Sequence, residues 1–195
     1  MNIDYWTWLG RISDCISLIL FLAVFFAYLK RENIRRWLTR NRFPKEVGHP
    51  LGNDIQFDAL IFTISRTEVP FWVIEQLKPR YIGLIATQQS REVAEEIKAF
   101  AKNRQTDTLI ETIQEPDDPA QSRFALQNLL EGLRKLNCQT IAVELTGGKV
   151  TMSLGAFMAA EELGLHSLYV STQFDRNLNK PDMRTAKILC VSRPH

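Results

Sequence analysis

Three short segments of the chain combine hydroxyl, amide and cationic side chains in a pattern suited to binding phosphate. They read Ser65-Arg66-Thr67, Thr87-Gln88-Gln89-Ser90 and Thr146-Gly147-Gly148-Lys149. Adjacent glycines let backbone N–H groups approach an anion closely, and a helix beginning just after them would add its dipole. Arg66 and Lys149 supply positive charge, and little acid lies nearby in the sequence beyond Glu68. We therefore predict that these segments form a phosphate-binding site.

The Gly147-Gly148 turn does not match the common nucleotide-binding motifs. A Walker A loop requires G-x-x-x-x-G-K-[ST], whereas Lys149 is followed here by Val150. A G-x-G-x-x-G sequence with a downstream acid is also missing, which argues against a nicotinamide dinucleotide site. A tight strand-to-helix turn that binds no ligand stays open as an alternative for the two glycines.

The three segments follow predicted strands in a chain that alternates strands and helices. Continuous apolar runs, typical of buried parallel strands, predict strands over 58–64, 81–86, 108–113, 140–145, 168–171 and 186–191, with antiparallel pairing left open for the last. Helices are predicted over 70–77, over 90–102 with Ser90 as its cap, over 119–136 and over 150–163. This alternation predicts an α/β three-layer fold with a parallel sheet. Ligands of such folds bind at the carboxyl ends of the strands, where the three segments fall.

The N-terminal part of the chain has a different composition. Residues 15–29 are apolar except for Ser17, and a membrane-spanning helix needs about 20 mostly apolar residues. Residues 30–45 carry a formal charge of +6, against −1 for residues 1–29 and −3 for residues 46–195. A basic block after an apolar span favours keeping that block in the cytoplasm. We therefore predict a single-pass transmembrane helix over 1–29 with its N-terminus outside, in the inner (plasma) membrane.

Two other interpretations of the apolar span are less favoured. A cleaved signal peptide has basic residues before its apolar run, and here the order is reversed. A buried core helix would show a polar face, which residues 15–29 lack. Beyond the span we predict a basic amphipathic juxtamembrane helix over 30–43, a Gly/Pro-containing linker over 44–54, and a cytoplasmic domain over 55–195.

Arg11 and Asp14 interrupt the predicted span and lie on one helical face. One interpretation is that they pair with each other or reach the outer interface. The other is that they face a helix–helix contact or a water-filled path, because ionisable residues inside a membrane are usually functional. Both remain open, and the two residues are candidates for a membrane or pore role.

The overall composition excludes several classes of protein. Of 195 residues, 45% are apolar and 24% are charged, which excludes a disordered chain and a polytopic membrane protein. Cys15, Cys138 and Cys190 are too few and too scattered for a disulfide framework or a closed zinc site. We predict no cofactor, no metal site and no catalytic residue, since His166 and His195 have no nucleophile or carboxylate pattern nearby.

The stretch TGGKVTMSLGAFMAAEELG after the fourth strand resembles the signature of CARF domains, the CRISPR-associated Rossmann-like sensors. Their T-G-G-[TN]-K-x-M turn leads into a helix; here the spacer before Lys149 is missing and the match at Met152 is approximate. The segment ISRTEVP after the first strand resembles the family's other ligand loop. The resemblance covers residues 55–195. A CARF domain behind one transmembrane helix is the layout of the membrane effectors of type III CRISPR systems.

The resemblance implies a ligand, a dimeric assembly and an effect on the membrane. The ligand would be a cyclic oligoadenylate, most often cyclic tetra-adenylate, bound across a CARF homodimer, with no role for DNA or long RNA. Its implied contacts are Ser65, Arg66, Thr67, Thr87, Gln88, Thr146, Gly147, Gly148, Lys149 and Met152. Ligand binding would rearrange the transmembrane helices of a higher oligomer, plausibly a tetramer, so that the membrane depolarises.

The resemblance also leaves other functions open. Many relatives carry a nuclease, and Arg42 and His49 have the R-x6-H spacing of its motif, but they lie in or beside the linker. Glu96-Ile97-Lys98 is an E-x-K fragment inside an amphipathic helix without a metal-binding partner loop. The alternatives are a membrane-tethered ring nuclease that cleaves cyclic oligoadenylate and a membrane-anchored nucleotide-binding scaffold without pore activity.

Overall fold

The computed structural model describes residues 16–21, 49–51, 55–175 and 180–193. The chain forms two compact units, Met1–Arg42 and Phe43–His195. In the first unit, residues 16–21 are helical with exposed side chains. Within the described ranges, no helix is both long enough and apolar enough to cross a membrane. Most of the predicted span, including Arg11 and Asp14, and all of the basic helix over 30–43 lie outside the described residues.

The second unit contains one seven-stranded sheet. Its strands are β1 (His49–Pro50), β2 (Ala59–Thr63), β3 (Tyr81–Thr87), β4 (Asp107–Ile113), β5 (Ile141–Glu144), β6 (His166–Asp175) and β7 (Lys180–Ser192). Their order is β1-β7-β6-β5-β2-β3-β4. The five strands from β6 to β4 are parallel, and β7 pairs antiparallel with both β6 and β1. The predicted parallel sheet is confirmed, and the last strand, whose direction the sequence left open, is antiparallel.

Four helices cover the two faces of the sheet. They are α1 (Glu68–Leu77), α2 (Arg91–Lys102), α3 (Pro119–Lys135) and α4 (Val150–Leu163). The N-terminus of α3 is fixed by Asp118, whose side chain accepts a hydrogen bond from the Ala120 N–H, with Pro119 in the first turn. The C-terminus of α4 is fixed by Gly164, which adopts φ of 65°.

Each face of the sheet has its own apolar core. On one face, α3 and α4 bury residues such as Leu126 and Ala156 against Ile61 and Val143. On the other, α1 and α2 bury residues such as Ile74 and Ile97 against the opposite side of the same strands. Because both faces are covered, β2, β3 and β5 are almost continuously apolar, and the predicted three-layer α/β fold is confirmed.

The structure differs from the sequence predictions at several boundaries. Residues 49–51 belong to the sheet and not to a linker: His49 and Pro50 pair with β7, and the Leu51 N–H donates to the Ile188 carbonyl at 3.0 Å. Helix α1 begins at Glu68, two residues before the predicted start, because proline is tolerated in a first helical turn. The last two strands are longer than predicted, since they pair with each other over most of their length.

The predicted serine cap of α2 is wrong. Ser90 occupies the N-cap position but makes no capping hydrogen bond to the helix. Its hydroxyl instead accepts from the Thr87 N–H at 2.9 Å, while the Ser90 N–H donates to the Thr87 hydroxyl at 3.1 Å. These reciprocal bonds close the turn between β3 and α2.

Candidate functional site

The strand order brings the three predicted segments to one edge of the sheet. Strand β2 lies between β3 and β5, so the loops that follow these three strands are neighbours at their carboxyl ends. Along the chain, β2 is followed by β3 and β4, which lie on one side of it in the sheet. The next strands, β5 and β6, lie on its other side. The gap between β2 and β5 is therefore the topological switch point, where open α/β sheets bind ligands. The hydroxyl of Ser65 donates to the carbonyl of Gly147, which joins the two loops that flank this point.

The two glycines after β5 are required by close packing against β2. A Cβ on Gly147 would lie 2.6 Å from the Thr63 carbonyl oxygen, and one on Gly148 would lie 2.7 Å from the Thr63 Cβ. Neither glycine adopts a positive φ. The two glycines thus form a tight turn that brings the loop onto the end of β2. Within the part of the chain that the structure describes, the N–H groups of Gly147 and Gly148 donate no hydrogen bond.

Thr146 is held inward by two neighbouring strands. Its N–H donates to the Glu144 carboxyl at 2.9 Å, and its hydroxyl donates to the same carboxyl oxygen. The hydroxyl also accepts from the Val170 N–H of β6 at 2.7 Å. Both polar groups that Thr146 could offer a ligand are therefore occupied, so this residue positions the turn.

Glu144 is a feature of the site that the sequence interpretation missed. It ends the apolar strand β5 and is fully buried, and Thr146 binds one of its carboxyl oxygens. Burial raises the pKa of this carboxyl to about 7, while hydrogen bonds from Thr146 and the nearby Val170 N–H act in the opposite direction. The other oxygen, Oε2, is buried without a hydrogen-bond partner among the described residues. A lone acid at the end of an apolar strand, three residues before Gly147, was the available sequence signal.

The cation after the glycines has a partner that the sequence pattern did not reveal. The Lys149 ammonium lies 3.2 Å from a carboxylate oxygen of Asp117 in the loop after β4. A second bond ties the same loop to α4, because the Thr151 hydroxyl donates to the Pro116 carbonyl at 2.7 Å. The expectation that Glu68 is the principal acid near these segments is therefore wrong.

The other predicted site residues divide into exposed and buried ones. Ser65, Arg66 and Gln88 are exposed, and Thr67 is partly exposed. Arg66 forms no ion pair within the described ranges, so its charge is free to meet an anion. The Thr87 hydroxyl is engaged by Ser90, as described above, and Met152 is buried beneath the Gly148 turn. The structure thus leaves Arg66, Gln88 and Lys149 exposed at this edge, next to the two glycine N–H groups that donate no hydrogen bond among the described residues.

The remaining candidates lie elsewhere or outside the described residues. His166 begins β6 and packs edge-to-face on Phe57 with ring centroids 5.3 Å apart, and burial lowers its pKa. Glu96 and Lys98 are exposed on α2, while Arg42 and His195 are outside the described residues. Within the described ranges, no group of His, Cys, Asp or Glu side chains could hold a metal ion.

The fold is similar to that of solved CARF-domain proteins. One is Can2 from Sulfobacillus thermosulfidooxidans, solved in complex with cyclic tetra-adenylate, with a TM-score of 0.51 and 20% identity over 58% of this chain and 32% of Can2. Another is a type III CRISPR defence DNA nuclease activated by cyclic oligoadenylate, with a TM-score of 0.52 and 18% identity over 72% of this chain and 22% of the nuclease. The chain spans less than a third of the length of either protein. The predicted Rossmann-like α/β fold is confirmed by these similarities.

Comparison by sequence gives no corresponding match. No protein-family model matches the chain, and no curated protein is similar to it in sequence. At 18–20% identity, the similarity to the two solved structures concerns the fold.

Proposed function

We propose that the C-terminal unit senses a cyclic oligoadenylate in type III CRISPR defence. The observation that carries this proposal is the pair of loops at the switch point, which the Ser65–Gly147 hydrogen bond joins and where, among the described residues, the two glycine N–H groups donate no hydrogen bond. The two solved proteins of similar fold, one bound to cyclic tetra-adenylate and one activated by cyclic oligoadenylate, support this ligand class.

The chemistry of the exposed groups suits a ring of phosphodiesters. Backbone N–H donors and cations stabilise phosphate oxygens, and amide side chains pair with adenine edges. Arg66 and Lys149 supply two cations, and Gln88 supplies an exposed amide. In a two-fold dimer the cations become four, which matches the four phosphates of cyclic tetra-adenylate, so we propose this ring as the ligand.

An exposed apolar stripe next to the site supports the dimer. Val150, Leu154 and Met158 follow one another at four-residue spacing along α4 and are 76%, 51% and 50% exposed. Exposed apolar patches of this kind mark protein–protein contacts. Since Val150 directly follows Lys149, a second copy packed on this stripe would bring its own Lys149 close to the first. We expect Leu154→Glu to weaken self-association in sedimentation experiments, whereas Glu131→Lys on α3 leaves it unchanged.

We propose that the N-terminal unit anchors the protein in the inner membrane as a single-pass helix and permeabilises the membrane when the ligand binds. The exposed apolar side chains of Ile16 and of residues 18–21, together with the mostly apolar sequence of residues 15–29, support this part. A ligand can shift an equilibrium only through its different affinities for the two states. Binding at the dimer would therefore favour one arrangement of the basic segment 30–43, and with it an oligomer whose transmembrane helices let ions leak.

A voltage-sensitive dye in cells that produce the full chain tests this output. We expect the membrane to depolarise only when cyclic tetra-adenylate is also supplied, and the double variant Arg66→Ala/Lys149→Ala to stay polarised. An unchanged potential with wild-type protein and ligand would exclude the membrane effector and leave the nucleotide-binding scaffold.

We further propose that the site binds the ring without cleaving it. Its one deeply buried carboxyl, Glu144, already bonds to Thr146, and His166 begins β6 at the opposite end of that strand from the loops. Incubation of labelled cyclic tetra-adenylate with pure full-length protein is expected to return intact ring. Linear products that disappear in Arg66→Ala/Lys149→Ala protein would instead identify a ring nuclease.

A further inference from the structure

Glu144 combines complete burial with a direct link to the ligand turn. Its carboxyl oxygen Oε1 accepts both hydrogen bonds that Thr146 can donate, and Gly147 and Gly148 follow immediately. The second oxygen, Oε2, has no partner among the residues that the structure describes. An ionised carboxylate here would be a buried negative charge without a counter-ion, placed directly behind groups that we propose bind an anion.

The buried core side chains on the same face of the sheet as Glu144 are apolar. On its face of the sheet lie Phe62 of β2 and Ile64 just after it, Leu168 and Val170 of β6, and the buried thiol of Cys190 in β7. Helix α1 buries Val73 and Ile74 there.

Three elements packed against this face carry charged side chains, and among the described residues none of these bonds to Glu144. Helix α2 and strand β7 contribute Arg91, Glu92, Glu95, Glu96, Lys98, Lys102, Asp182, Arg184 and Lys187. Helix α1 carries Glu68 in its first turn and Glu75 further along, and Glu75 pairs with Arg104 of the loop after α2. Arg66 precedes α1 and is exposed, and Lys149 pairs with Asp117. None of these bonds to Glu144, whose pKa is raised by burial and not by a charged neighbour. The protonation state of Glu144 is therefore free to respond to a new charge brought to the turn.

We propose that Glu144 is a positioning residue for the anion-binding turn, and that the binding of a phosphate-bearing ligand there is coupled to the uptake of one proton by its carboxyl. This inference rests on the proposed phosphate ligand. The proton passes from solvent to the Glu144 carboxylate and no other bond is made or broken. The neutral carboxyl still accepts both Thr146 hydrogen bonds through Oε1, so the turn keeps its conformation while the repulsion toward the ligand is removed.

The coupling has a definite sign. A bound anion stabilises the neutral form of Glu144 and so raises the pKa of this carboxyl above its ligand-free value of about 7. By linkage, the protonated protein binds the ligand more tightly than the ionised protein. Affinity is then constant at low pH and falls as the pH rises through the ligand-free pKa of Glu144.

Titration of the full-length protein with labelled cyclic tetra-adenylate between pH 5.5 and 8.5 tests the coupling. Phosphodiesters do not titrate in this range, so any change belongs to the protein. We expect the wild-type affinity to fall by about tenfold or more across the range. The Glu144→Gln variant keeps a carbonyl acceptor for Thr146 but cannot ionise, so its affinity should stay within about twofold. Glu131→Gln, an exposed change on α3, serves as the matched control and should follow the wild type.

A second measurement needs no variant. Calorimetric titration of wild-type protein in two buffers of different ionisation enthalpy reports the protons taken up on binding. At pH 7.5 we expect an uptake of about half a proton or more per site, and almost none at pH 5.5. Equal pH profiles for wild type and Glu144→Gln, or no uptake at pH 7.5, would refute the coupling while leaving ligand binding intact. No binding at any pH would refute the proposed function and this inference together.

Discussion

The two edges of the sheet offer different environments to an anion. At the amino ends of the strands lies a cavity of about 690 Å³ whose lining includes Lys78, Arg80, Lys187 and Trp72. At the carboxyl ends, the switch-point loops present fewer cations, and one of them, Lys149, is paired with Asp117. Volume and charge alone would assign the ligand to the amino edge.

The backbone hydrogen bonds and the state of the carboxyl groups favour the carboxyl edge instead. At the amino edge, Asp58 accepts hydrogen bonds from the N–H groups of Gln139 and Thr140, each at 2.9 Å, and these bonds lower its pKa. The donors there are already used by the protein. At the carboxyl edge, the glycine N–H groups stay free and Glu144 is buried with a raised pKa. The unpaired donors, more than the number of surface cations, are therefore the reason we propose the carboxyl edge as the phosphate site.

Removal of the cations at each edge gives the largest expected contrast. The double variant Arg66→Ala/Lys149→Ala should lose about 100-fold or more in affinity for cyclic tetra-adenylate, because each charge-assisted phosphate contact contributes about 1.5–3 kcal/mol. The double variant Arg80→Ala/Lys187→Ala makes the same charge change at the amino edge and should bind within about threefold of wild type. Fluorescence polarisation at fixed ionic strength measures both. A larger loss in the second variant would place the ligand in the amino-edge cavity.

The glycine turn gives the next contrast, in stability as well as binding. Gly147→Ala places a methyl group against the Thr63 carbonyl, where a Cβ would lie at 2.6 Å. We expect the free energy of unfolding to fall by about 1–3 kcal/mol, with a loss of nucleotide affinity.

Gly132→Ala is the matched control for the turn variant. Its Cβ would lie 3.1 Å from the Leu109 Cδ1, the end of a flexible side chain on the far side of the fold from β5. It sits inside α3, where alanine is favoured over glycine by about 1 kcal/mol. The free energy of unfolding of both variants is measured by denaturant unfolding. Equal values for Gly147→Ala and Gly132→Ala would show that the close approach of the turn to β2 is not required for stability.

The two carboxyl groups should respond oppositely to pH. The pKa of Glu144 is raised from 4.5 to about 7, so the folded protein holds more protons there than the unfolded chain and loses stability as the pH rises through this window. The loss is about 3 kcal/mol by the usual conversion. Glu144→Gln should abolish this part of the pH dependence in denaturant unfolding between pH 5 and 8.

Asp58 provides the contrast to Glu144. Its pKa is lowered by hydrogen bonds, so its contribution to stability is present above its unfolded pKa and is lost only in acid. Asp58→Asn should therefore leave the slope between pH 5 and 8 unchanged. A wild-type slope that persists in Glu144→Gln protein would assign the pH dependence to another group.

The smallest expected effect concerns the ion pair at the site. Asp117→Asn releases Lys149, and exposed pairs contribute about 0–1 kcal/mol, so the affinity for the ring should rise by no more than about fivefold at low salt and less at high salt. Glu115→Gln removes the same charge two residues away without breaking the pair. If both variants gain affinity equally, the effect is general repulsion and Asp117 has no specific role.

The fold was largely predictable from sequence because burial on both faces leaves continuous apolar runs. β2, β3 and β5 carry that signal directly, and α4 was predicted with its observed bounds. The short strand β1 could not be found this way, since His49 and Pro50 form a strand only through pairing with β7, more than 100 residues away. Long-range pairing of this kind has no local pattern.

The candidate site was predictable as a set of loops but not as a set of contacts. Chain order showed that Ser65 and Gly147 follow parallel strands, and the structure joins them by a hydrogen bond. The partners of Lys149 and Thr146 depend on side-chain direction across neighbouring strands. For that reason the roles of Asp117 and Glu144 became visible only in three dimensions.

Mapping the ligand covalently is the most direct test that the carboxyl edge is the nucleotide site. A photoreactive azido derivative of cyclic tetra-adenylate, crosslinked to full-length protein and located by mass spectrometry, reports the contact peptides. We expect labelled residues within 63–68 and 145–152, with competition by unmodified ring. Labelling confined to the peptides that contain Lys78, Arg80 and Lys187, or no labelling that the unmodified ring competes away, would contradict the assignment.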